Sequence, residues 1–155
     1  MNEGRVHSIN VSDGGALKRP RSSAWIDVNG VEGDRQRNLR VHGGPNRAVA
    51  LYSLDLIQIL QAEGHPIATG TTGENITVAG IDWSLMVPGA RVQIGEVELE
   101  VTAYAHPCRN IAGSFADEDS TRVSQKVHPG WSRLYAKVLH EGRIADGDSV
   151  SLTRT

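Results

Sequence analysis

Seventeen glycines are spread through 155 residues, with few long periodic segments between them. A chain punctuated this often favours many short strands joined by tight turns, as in a sandwich or a barrel. The firmest strand signal is Val97-Glu98-Leu99-Glu100-Val101, where apolar residues alternate with glutamate and so separate a core face from a wet one. Gly95-Glu96 just before it reads as a two-residue hairpin turn from Ala90–Ile94, which Pro88-Gly89 opens. Further strands are predicted at Arg5–Val11, Ala24–Val28 and Ala48–Tyr52, the middle one running into the Asn29-Gly30 turn signal. At the C-terminal end, Leu134–Leu139 and Ser149–Leu152 flank the turn-rich stretch Glu141–Asp148 and are expected to pair with each other.

One helix interrupts this pattern. Ser53 is a capping residue, Leu56, Ile57 and Leu60 form one apolar stripe, and Gly64 is the stop. A second short helix is expected within Asp117–Val127. The length suits one domain over residues 1–155 with a single core.

A formal net charge of −2 gives the molecule no overall electrostatic attraction for nucleic acid or an acidic membrane surface, so an anion site must be local. No apolar run approaches the roughly 20 residues of a membrane-spanning helix, and a cytoplasmic location is expected. The single cysteine, Cys108, excludes an internal disulfide.

Cys108 lies in His106-Pro107-Cys108-Arg109, at the end of a predicted strand. Pro107 ends the ladder by removing a donor, and the fixed charge of Arg109 favours a thiolate, which is both a nucleophile and a soft metal ligand. The plainer reading is a small buried hydrophobe. His42 or His106 could serve as a base to a Cys108 nucleophile, or join it in a zinc site, but neither spacing is diagnostic.

Three glycine-rich polar segments stand between strands: Gly30–Gln36, Val41–Ala48 and Gly73–Ile76. Gly43-Gly44 allows positive backbone dihedrals and close approach of an anion to main-chain donors, although neither nucleotide-binding glycine fingerprint is present. Arg35, Arg47, Arg109 and Arg133 each fall near a predicted strand end, where barrel loops could gather them at one mouth to bind a phosphate. Taken singly, each arginine is better explained by a neighbouring carboxylate, as Asp34 would serve Arg35. The basic run Lys18-Arg19-Pro20-Arg21 reads as a solvated loop or an anion-binding edge.

In their order along the chain, Lys18-Arg19-Pro20, Gly33-Asp34-Arg35, His42-Gly43-Gly44-Pro45 with Arg47, Gly73-Glu74-Asn75, Pro88-Gly89 and Pro107-Cys108 resemble the MOSC domain, named for the C-terminal part of molybdenum cofactor sulfurase. The resemblance runs from about Arg5 to Leu152 and is to a stand-alone bacterial form, similar to the small YiiM-like and YuaD-like members. It implies a mostly β, MOSC-type barrel of short strands with one or two short helices. It also implies a pocket for the molybdenum cofactor (molybdopterin), a pterin dithiolene carrying a phosphate.

On this resemblance Cys108 ligates molybdenum or carries a persulfide. Arg35, Gly43, Gly44, Arg47, Arg109 and Arg133 are the cofactor contacts, and His42 and Asn75 shape the pocket, His42 with a catalytic part. Three functions stay open: reduction of N-hydroxylated or N-oxygenated compounds, sulfur or cofactor carriage, and non-catalytic docking. The first requires a separate electron-donor protein and the second a sulfur donor. Pyridoxal phosphate is not expected, because no lysine stands in a Schiff-base context.

Overall fold

In a computed structural model, residues 3–14, 17–34 and 44–153 are described. The strands are β1 (Glu3–Val11), β2 (Arg19–Arg21), β3 (Ser23–Asp27), β4 (Gly30–Val31), β5 (Val49–Ser53), β6 (Ile76–Ala79), β7 (Arg91–Ile94), β8 (Val97–Tyr104), β9 (Leu134–His140), β10 (Gly142–Ala145) and β11 (Ser149–Thr153). The α-helix α1 (Leu54–Ala62) connects β5 to β6, and four short 3₁₀ segments occupy connections. Strands β11, β7, β8, β9, β5, β6 and β1 pair in that order, and a β1–β11 pairing closes them into a seven-stranded barrel. β2 extends the sheet from β1, while β10, β3 and β4 make a separate three-stranded sheet. The mostly β, barrel-type fold is the one expected.

Local chemistry explains the elements. In β8, Val97, Leu99 and Val101 are buried while Glu98 and Glu100 are only partly covered, as the alternation requires. Glu100 meets Arg91 on β7 at 3.7 Å and Lys137 on β9 at 3.6 Å, so the wet face is laced by cross-strand charge pairs. The β7–β8 register pairs Ile94 with Val97, which leaves Gly95-Glu96 as the two-residue turn. Among the described residues β5 and β6 are the only parallel neighbours in the barrel, and a parallel connection needs a crossover, which α1 supplies. Ser53 caps α1 by accepting from the Leu56 N–H at 3.2 Å, Ile57 and Leu60 face the core, and Gly64 takes φ 100° just beyond the end.

Two expectations are corrected. Leu134–Leu139 and Ser149–Leu152 are strands, but they do not pair with each other. β9 has both edges taken by β8 and β5, and β11 is used to close the barrel between β7 and β1. The stretch between them is not only turn, because Gly142–Ala145 pairs with β3. Within Asp117–Val127 only Ser120–Val123 winds, as a 3₁₀ turn. Glu118 sits at φ 58°, and the Asp117 and Asp119 carboxylates accept from the backbone N–H groups of Asp119 and Thr121. These local bonds compete with a helix.

No helix among the described residues is long and apolar enough to cross a membrane. Removing the α1 cap in Ser53→Ala orphans a helix donor and should lower stability by about 1 kcal/mol. In urea unfolding this appears as a lower midpoint with an unchanged slope; an unchanged midpoint would show the cap to be idle.

Candidate functional site

The Cys108 segment is held in place from a loop 34 residues earlier in the chain. That loop, residues 70–75, is organised around Glu74, whose side chain is fully buried. The carboxylate accepts from Gly70 N–H at 3.0 Å, Thr72 Oγ1 at 2.7 Å and Thr77 Oγ1 at 3.0 Å. Three donors on one buried carboxylate fold the loop about it. Gly70 must be glycine here: its φ is +81°, and a Cβ would lie 2.5 Å from the Lys18 carbonyl oxygen.

Next to Glu74, Asn75 joins three segments. Its main-chain N–H donates to the Ala50 carbonyl at 2.8 Å, and its Oδ1 accepts from the Ala50 N–H at 2.9 Å. Its carbonyl accepts from the Asn10 N–H at 2.7 Å, and its Nδ2 donates to Asp34 Oδ2 at 2.9 Å. Asp34 Oδ1 receives Lys18 Nζ at 2.6 Å and the Ser12 N–H at 2.9 Å. Both side chains of the Lys18–Asp34 pair are over nine-tenths buried, at 7% and 6% exposure. Lys18 is therefore neither a solvated loop residue nor an open anion-binding edge, and Asp34 is paired with Lys18 at this contact. The reason is geometric, since β2 lies antiparallel against β1 and brings Lys18 to the far end of Asn75's network.

Arg133 links this frame to the cysteine. It is 7% exposed, immediately before β9, and donates through Nη1 to the Thr72 carbonyl at 2.9 Å and through Nη2 to the His106 carbonyl at 3.1 Å. Its Nε is buried without a hydrogen-bond partner among the described residues. Burial pushes the guanidinium pKa down, and the nearby Tyr135, Cys108, Tyr52 and Glu74 oppose that shift through their negative forms. The 105–114 segment has two more tethers: the Ala105 N–H donates to the Arg133 carbonyl at 2.8 Å, and Ser114 Oγ donates to Thr71 Oγ1 at 2.8 Å. Cys108 is half-buried and opens the 3₁₀ turn Arg109–Ser114.

The remaining candidates divide. Arg47 is half-buried with its guanidinium carbon 5.2 Å from the centre of the Tyr135 ring, and Tyr135 is itself near enough to act on Arg133. A bulge in β8 helps to seat the Arg47 segment, because Thr102 Oγ1 donates to the Asn46 carbonyl. Gly44 has φ 93°, is exposed and would have open space at its Cβ. Arg109 is exposed, whereas Asn75 is buried with its bonds directed at β1, β5 and Asp34. Arg35, His42 and Gly43 lie outside the described residues.

Sequence reasoning missed Glu74 as the organiser of its loop, Tyr135 as the aromatic between two arginines, and the buried Lys18–Asp34 pair. Glu74 flanked by Thr72 and Thr77 is the one signal that was available. Among the described residues no three His, Cys, Asp or Glu side chains converge on a metal position.

The closed barrel bears a half-buried thiol near a buried guanidinium, a candidate cysteine-centred site on a β scaffold. The sequence matches the MOSC domain family over residues 38–151, and the chain belongs to that family. It is 31% identical over 140 residues to the uncharacterized protein YflK of Bacillus subtilis, covering 89% of this chain and 62% of that protein. The crystal structure of YiiM from Geobacillus stearothermophilus superposes with a TM-score of 0.76 at 23% identity, over 97% of this chain and 75% of that one. The YuaD protein of Bacillus subtilis gives a TM-score of 0.75 at 18% identity, over 97% and 95% respectively. At these identities the two structures establish the fold. The chain spans about three fifths of the length of the curated relatives it matches.

Breaking the buried pair in Lys18→Met leaves the Asp34 charge without its counter-charge and should cost about 3–5 kcal/mol. A double-mutant cycle with Asp34→Asn should return a coupling above 1 kcal/mol on order of magnitude; additive losses in urea unfolding would show that the two groups act independently.

Proposed function

We propose that this chain binds the molybdenum cofactor with Cys108 as the protein's sulfur ligand, and uses it to reduce N-hydroxylated or N-oxygenated compounds. The observation that carries the reading is Arg133 beside Cys108: a buried cation whose hydrogen-bond acceptors are main-chain carbonyls and whose Nε is unspent. Such a group favours an anion nearby, whether a metal-bound thiolate or the sulfur and phosphate groups of the cofactor. The donor set fits: a soft sulfur, a buried fork of donors and the exposed backbone of Gly44. Membership in the MOSC family, which is associated with molybdenum-cofactor binding, supports the same reading.

When bound, the cofactor would supply a two-electron redox centre for removal of oxygen from the substrate. The chain's own residues do the rest. Thr72, Arg133 and Ser114 fix the backbone around Cys108, so the sulfur meets its ligand without having to be ordered on binding. Arg133 offsets the negative charge that the sulfur keeps as a ligand. Arg47, over the Tyr135 ring, and the exposed Arg109 at the start of the 3₁₀ turn would supply cations to the phosphate and pterin side. Electrons come from a separate donor protein. The sulfur-carrier reading uses the same Cys108 with a persulfide in place of the metal.

Metal and pterin analysis of protein purified from a cofactor-competent host tests the assignment. Wild type should hold near-stoichiometric molybdenum, and Cys108→Ala should lose at least roughly tenfold in metal content. Arg47→Ala should weaken cofactor binding by about 1–3 kcal/mol. An empty wild type bearing sulfane sulfur on Cys108 would favour the carrier, and an empty, unmodified one would favour docking.

A further inference from the structure

A cavity whose lining includes none of Cys108, Arg133 or Glu74 lies between the Trp83–Val87 turn, the end of β8 and the 125–134 segment. Its volume is about 250 Å³. That exceeds the cavity of about 150 Å³ known to hold one benzene ring, and falls below the range of about 300–1,000 Å³ that encloses a drug-sized ligand. The space suits one ring or two fused rings and is too small to enclose a pterin cofactor.

The walls are apolar and aromatic, formed chiefly by Trp83, Met86, Val87, Tyr104 and Leu134, and no lining side chain is charged at neutral pH. An ion seated there would give up part of its hydration without gaining a counter-charge. The walls are also preformed. The Trp83 indole N–H donates to the Ser132 carbonyl at 2.8 Å, and its ring stands edge-on to Tyr52 at 6.1 Å and 80°. The lining hydroxyls of Ser84 and Ser132 already donate, to Asp82 and to the Ala105 and Arg133 carbonyls, which leaves two polar side chains. Gln125 uses its Oε1 to accept from the Gly130 N–H at 3.0 Å, which leaves its amide N–H₂ unspent among the described residues. The Tyr104 hydroxyl likewise has no protein partner among them. Val87, 43% exposed, leaves an apolar side chain at the opening.

We propose that this cavity binds a small, uncharged, flat ring compound bearing a hydrogen-bond acceptor, stacked against Trp83 and held by Gln125 and Tyr104. The site is independent of the cofactor assignment, and its test does not read the metal. Quinoline, a neutral fused bicycle with one ring acceptor, is titrated into the full chain at neutral pH and followed by amide chemical shifts. Saturable shifts are expected at residues 83–87, 104 and 125–134, with a Kd on the order of 1 mM or tighter. The charged analogues 1-methylquinolinium and 1-naphthoate should bind at least roughly tenfold more weakly. Gln125→Ala should weaken quinoline several-fold, and Val87→Trp, a change at the exposed mouth, should abolish the shifts while thermal unfolding stays near that of wild type. No saturable shift up to about 10 mM, equal binding of either ion, or full binding by a folded Val87→Trp would each overturn the proposal.

Discussion

The site rests on a carboxylate that no solvent reaches. Glu74 is fully buried and draws Gly70, Thr72 and Thr77 around itself, and the loop it shapes presents the Thr72 carbonyl to Arg133. Arg133 reaches across to the His106 carbonyl and so positions the segment that ends in Cys108. The arrangement is a relay of hydrogen bonds from one buried charge to another, and each charge is tolerable because its donors or acceptors are supplied. Removing any member would leave a buried polar group unsatisfied, which costs more than the net worth of the bond.

The barrel is the support for this relay. Asn75 sits immediately before β6, between the two strands that flank it, and bonds to Ala50 on β5 and Asn10 on β1. Where a sheet closes into a barrel, the strand ends are fixed relative to one another, so a loop attached at three of them has little freedom. That rigidity lets a half-exposed thiol be aimed. It also separates two environments: the charged, hydrogen-bonded neighbourhood of Cys108, and the uncharged aromatic cavity at Trp83 and Tyr104.

Much of the architecture was legible in the chain because the relevant signals are local. The Val97–Val101 alternation, the Gly95-Glu96 turn and the Ser53-to-Gly64 helix with its caps each depend on a few neighbouring residues, and each stands where local chemistry puts it. Partner choice between distant strands was not legible. Leu134–Leu139 and Ser149–Leu152 read equally well as partners until barrel closure claims the edges of both. The Asp117–Val127 stretch shows the converse, where aspartate side chains capture the backbone and override a helical expectation.

The sequence by itself determined that the fold is built of short strands, that there is a single thiol, and that arginines and glycines cluster near strand ends, because composition and short-range spacing suffice for these. Only the tertiary structure decided which charges meet. Lys18 is 16 residues from Asp34, Arg133 is 61 from Thr72 and 27 from His106, and Asn75 is 65 from Asn10. Such pairings carry no spacing signature, since they arise when antiparallel neighbours and a parallel crossover fold remote segments onto the same end of a barrel. Burial then turns an ordinary surface arginine or lysine into one whose every donor must be accounted for.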